Sequence, residues 1–117
     1  MPVRSLSSSV LRWPDQASVE KAVAEWARRE RERHPELVKI GYFGSFARGD
    51  AGVGSDLDLV AVVGESAESF ERRAVNWDLS SLPVPSEILV YTQHEWETLM
   101  ERGGRFARML CEEAVWL

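Results

Sequence analysis

Apolar residues early in the chain recur at helical spacing: Val19, Ala22, Val23, Trp26 and Ala27 stand at i, i+3, i+4, i+7 and i+8, one stripe of a 3.6-residue period. Asp15 or Ser18 can cap the start. The helix should end near His34, because the residue before Pro35 is pushed out of the helical region. The far face, Arg28 to Arg33, alternates in sign. Glu25 with Arg29 and Glu30 with Arg33 have the spacing to pair along it, and it reads as solvated. Upstream, Met1 to Pro14 mixes Ser7, Ser8 and Ser9 with Val10, Leu11 and Trp13 without a period. We read residues 1–14 as an arm and residues 15–117 as one domain.

The pattern then shortens. Val38 to Phe43 is rich in β-formers and stops at Gly44, where a glycine-rich loop begins. Asp56 to Val63 enters with acid and continues as an unbroken apolar run, the mark of a strand buried on both sides. Ala67, Phe70, Ala74 and Trp77 return to helical spacing and predict a crossover helix. Past Pro83 and Pro85, Glu87 to Tyr91 is a third strand. Thr92 and Glu95 then form a capping box for a helix carrying Trp96, Leu99 and Met100. Gly103 and Gly104 break it, and Phe106, Met109 and Leu110 mark a last helix. The order α-β-β-α-β-α-α predicts an α/β (α+β) domain: a mixed sheet of three to four strands with helices mainly on one face. Trp26, Trp77 and Trp96 read as core anchors, Cys111 as a small core residue, His34 and His94 as helix-terminus residues, and Lys39 as solvated. Trp13 and Trp116, near the chain ends, are better placed for a partner surface.

Composition narrows the class. The 117 residues are 44% hydrophobic and 28% charged, enough for one small self-standing core. Fourteen Lys+Arg against nineteen Asp+Glu leave a net charge of −5, which argues against general binding to nucleic acid or to a membrane. One cysteine and two histidines cannot build a disulfide framework or a closed Cys/His zinc site. The longest aliphatic run, Leu59 to Val63, is far too short to span a bilayer. A reducing, cytoplasmic setting is the expectation.

The chemistry concentrates in Gly44-Ser45-Phe46-Ala47-Arg48-Gly49-Asp50, followed by Gly52, Gly54, Ser55 and then Asp56-Leu57-Asp58. A strand that ends in Gly-Ser and turns into a helix exposes backbone N–H groups to phosphate oxygens, and Ser45 adds a hydroxyl donor. Asp56 and Asp58 alternate onto one face of a strand with Cα atoms ~6.6 Å apart. Their carboxylates can serve a pair of hard cations of the kind used in two-metal phosphoryl transfer. Glu87 completes a carboxylate triad if its strand pairs with theirs. Arg48 can either contact phosphate or pair with a local carboxylate such as Asp50.

These residues resemble the signature of the minimal nucleotidyltransferases of the DNA polymerase β-like superfamily: Gly-Ser, ten residues, then Asp-x-Asp. Ser45 and Asp56 are separated by ten residues, 46 to 55. Four fixed positions match by chance about 0.002 times over such a chain. Arg48-Gly49 and the acid Glu87 before Ile-Leu-Val-Tyr follow the same pattern. The resemblance implies the small nucleotidyltransferase fold. It assigns two Mg²⁺ ions to Asp56, Asp58 and Glu87, with Glu87 also a candidate general base where Asp is common in the family. It gives Gly44 and Ser45, with Arg48, to the phosphates of ATP. Members of this minimal type resemble the antitoxin halves of two-component systems whose partner is a helical HEPN ribonuclease, and they can transfer AMP to a tyrosine of that partner. The resemblance therefore implies an adenylylating antitoxin. Two other readings stand beside it: a non-catalytic antitoxin that occludes its partner, and a nucleotidyltransferase for a small molecule or an RNA end, acting as a homo-oligomer or with a separate helical subunit.

Overall fold

The computed structural model describes residues 14–117; Trp13 and nearly all of the expected arm lie outside them. Helix α1 spans Gln16–Arg33, capped by Asp15, whose side chain accepts from the Ser18 N–H at 2.8 Å, and closed at His34. Its apolar stripe is buried as spaced: Val19, Val23, Trp26 and Ala27. The next elements are β1 (Leu37–Phe43), the one-turn α2 (Ser45–Arg48), β2 (Leu57–Val63), a second single turn α3 (Phe70–Arg73) with a 3-10 turn over Ala74–Asn76, and β3 (Ser86–Thr92). Helices α4 (Gln93–Arg102) and α5 (Arg105–Glu113) follow, then a two-residue strand β4 (Val115–Trp116). The capping box forms as spaced, with Thr92 accepting from the Glu95 N–H and Glu95 accepting from the Thr92 N–H.

The strands form one mixed sheet in the order β3-β2-β1-β4. β1 pairs antiparallel with β2 and with β4, and β2 pairs parallel with β3. β2 is central and apolar on both sides, because residues of opposite parity serve opposite layers. Leu57, Leu59, Ala61 and Val63 join α1 and the segment around Trp77, Leu82 and Val84 in one core cluster. Val60 and Val62 join Phe43, Trp96 and Leu110, beneath α4 and α5, in the other. The mixed α/β class stands as expected, but helices cover both faces of the sheet rather than mainly one, because β2 is apolar on both sides. No helix among the described residues is long and apolar enough to cross a membrane.

Several expectations need correction. The crossover helix shrinks to two short turns: Ala67 is exposed and Arg73, not an apolar residue, is buried there. Arg73 donates to the Glu68 carbonyl at 3.0 Å, the Val90 carbonyl at 3.0 Å and Glu95 Oε2 at 3.1 Å, so side-chain bonds replace the packing a longer helix would provide. Glu30, expected on the solvated face, is buried and meets Arg33 at 2.7 Å. Cys111, expected in the core, is exposed. Lys39 is not simply solvated: its ammonium sits 4.6 Å from the Trp96 ring centroid and 4.3 Å from that of Trp116. Trp116 belongs to β4 and meets Trp96 edge to face. His34 does end its helix, and it also stacks on Trp77 at 3.9 Å.

Candidate active site

Asp58 is the second residue of β2, and its neighbours define the site. Its register partner on β1 is Phe43 and its partner on β3 is Glu87. Side chains paired across strands point to the same face, so Asp58, Glu87 and Phe43 share the layer of Val60 and Val62. Asp56, expected as the first residue of this strand, lies just before it, and its charge still acts on Asp58. Leu57, between the two acids, is fully buried on the other face, which fixes the phase of the alternation. The parallel pairing that would bring Glu87 beside Asp58 is present.

Gly44 follows Phe43 at a backbone angle φ of 81°, where a side chain is strained. A Cβ there would overlap Asp58 Oδ2. Glycine therefore serves both the turn and the carboxylate behind it. Ser45 opens α2, and its carbonyl accepts from the Gly49 N–H at 3.0 Å and the Asp50 N–H at 3.1 Å, folding the loop back. A single turn carries little macrodipole, so an anion at this end would rely on the Ser45 hydroxyl and first-turn amides.

Arg48 is exposed at the end of α2, with Nε 3.1 Å from Asp50 Oδ2 and Nη1 3.2 Å from Glu113 Oε1. The local pairing with Asp50 is thus present. Glu113, on α5, is a second anchor that no local spacing predicts, since 65 residues separate the two.

The electrostatics single out Asp58. Burial raises its carboxyl above the usual carboxylate range, the charges of Glu87 and Asp56 raise it further, and Arg48 offsets part of the effect. Among the described residues, no set of three or more His, Cys, Asp or Glu side chains is drawn together closely enough to hold a metal ion as placed. Asp56, Asp58 and Glu87 gather at one mouth without converging. Their chemistry nevertheless fits a hard divalent cation: every donor is a carboxylate oxygen, and positive charge would relieve the repulsion. A cavity of about 230 Å³ lies elsewhere, at the far end of β2 beside Val63, Arg73 and Trp77.

One further aromatic neighbour lies beside this mouth. Phe106, read as part of an apolar helix stripe, meets the Phe43 ring edge to face at 5.8 Å and remains 36% exposed.

Residues 24–116 match the model of a family described as a nucleotidyltransferase domain. No protein of curated function matches the chain at a significant level. Among solved structures, the chain is similar to a crystal structure described as a "putative nucleotidyltransferase" from Sulfolobus solfataricus, with a TM-score of 0.62 and 20% identity over 86% of this chain and 80% of that one. At that identity the likeness concerns the fold.

Proposed function

The chain belongs to the nucleotidyltransferase domain family, and on that premise we propose that it transfers AMP from ATP to a tyrosine hydroxyl of a HEPN-type ribonuclease partner, acting as that partner's antitoxin. The observation that carries the reading is the setting of Asp58, half-buried between Glu87 and Gly44 with Asp56 two residues before it.

In this reading Asp56, Asp58 and Glu87 hold two Mg²⁺ ions. Bound there, the ions supply the positive charge that activates an acceptor hydroxyl and neutralises departing pyrophosphate. The chain's own groups do the rest. Ser45 and the amides of its turn donate hydrogen bonds to the β- and γ-phosphates, and Gly44, lacking a Cβ, lets that turn sit against the Asp58 carboxylate. Arg48 adds a cation at the same mouth. Glu87, exposed at the start of β3, is a candidate to take the acceptor's proton. The net charge of −5 supports a basic partner, as a ribonuclease would be.

The test is the intact mass of a HEPN-type protein encoded beside this chain, after incubation with the chain, Mg²⁺ and ATP. Gains of whole AMP units, absent with the Asp56→Ala/Asp58→Ala variant, support the proposal. A tight complex with no mass gain, unchanged in the variant, would leave an occluding antitoxin instead.

A further inference from the structure

The carboxylate mouth has an aromatic border that the phosphate and metal roles do not use. Phe43 is the register partner of Asp58, and paired residues on antiparallel strands lie only about 5 Å apart at Cα. Phe43 is itself buried, and Phe106 packs against it at an interplanar angle of 83° while staying 36% exposed. A ring open to solvent is thus fixed two contacts from Asp58, on the same face of the sheet.

The chain spends two glycines to put it there. Gly103 ends α4 at φ 69° and Gly104 opens α5 at φ 103°, both in the region L side chains avoid. This double turn lets α5 start afresh one residue before Phe106. Arg105 and Arg108 on the same turn are exposed, and neither has an ion-pair partner among the described residues. In an acidic chain, an exposed ring on a helical turn that also carries two cations suits a ligand that is both aromatic and anionic.

We propose that Phe106 is the platform on which the base of the bound nucleoside triphosphate stacks, with Phe43 holding the ring in place. The proposal rests on the nucleotidyl-transfer reading and adds a base subsite to it. Stacking on one ring accepts any base, so Phe106 contributes affinity for the nucleoside without selecting adenine.

The experiment is calorimetric titration of the full chain with ATP and, separately, with inorganic tripolyphosphate, both with Mg²⁺. Phe106→Ala is expected to weaken ATP binding about tenfold while leaving tripolyphosphate binding unchanged. Phe106→Tyr should bind ATP as the wild type does. Phe106→Leu keeps an apolar cover over Phe43 but has no π face. It should melt like the wild type and lose ATP affinity as the alanine variant does. ATP binding by Phe106→Leu equal to wild type, or equal losses for both ligands in Phe106→Ala, would overturn the base platform and leave the nucleotidyl-transfer reading intact. A wild-type chain that binds neither ligand would overturn that reading, and the platform with it.

Discussion

The two ends of β2 treat charge in opposite ways. At the far end, Arg73 is buried, yet its guanidinium is used up by two carbonyls and Glu95. At the near end, Asp56, Asp58 and Glu87 bring three like charges together. Among the described residues, the cation that acts on Asp58, Arg48, is already shared with Asp50 and Glu113. Charge matched within the chain holds the fold. Charge left unmatched, where pairing would have been easy to supply, marks the place that meets something from outside.

The largest effect expected from breaking this contrast is at Asp58. Asp58→Asn should lower nucleotidyl transfer by about 10³-fold, roughly 4 kcal/mol of transition-state stabilisation, in an assay of AMP incorporation. The same variant should be no less stable than the wild type at neutral pH. Because the folded chain holds Asp58 above its ordinary range, ionisation there works against folding. The stability gained by Asp58→Asn is therefore present at neutral pH and fades as pH falls toward about 3.9, where the unfolded chain is also protonated. Urea titrations of both proteins at several pH values would show it.

The far end should fail in the other direction. Arg73→Leu removes the hydrogen bonds to two carbonyls and to Glu95, which keeps its bond from the Thr92 N–H, and should cost about 2 kcal/mol in urea denaturation. The Arg73 side-chain hydrogen bond holds Glu95 below the usual carboxylate range. The pair's contribution is therefore complete above about pH 4.3 and is lost as pH falls through the lowered folded value. Acid thus relieves one end of β2 and loosens the other.

A smaller effect is expected at Gly44. Gly44→Ala combines a backbone angle unfavourable to alanine with displacement of the Asp58 carboxylate. It should cost about 1–2 kcal/mol of stability and lower transfer more than that loss explains, measured per folded molecule. The smallest effect is at Lys39. Lys39→Met should cost about 0.5–1 kcal/mol through the lost contacts with Trp96 and Trp116, leaving transfer unchanged.

What was legible in the sequence is what local spacing encodes. The stripe of α1 and the Thr92/Glu95 box each lie within a few residues, and each appears where the spacing put it. The register of Asp58 with Glu87 was conditional on strand pairing, and the pairing came out parallel. Features set by distant partners stayed hidden. β4 is two residues long and forms only because Gly41 and Tyr42 wait for it. At Gly41 even a Cβ would collide with the Val115 carbonyl. The burial of Glu30 and Arg73, the reach of Arg48 to Glu113 and the contact of Phe106 with Phe43 follow from the closed fold. No period in the chain announces them.

The most direct test of the central claim is calorimetric binding of ATP, with and without Mg²⁺, to the wild-type chain and to Asp56→Ala/Asp58→Ala. The account predicts binding that needs Mg²⁺ and disappears in the variant, although both proteins unfold at similar temperatures. ATP binding that is equal in the two proteins, or no binding to the wild type with Mg²⁺ present, would contradict it.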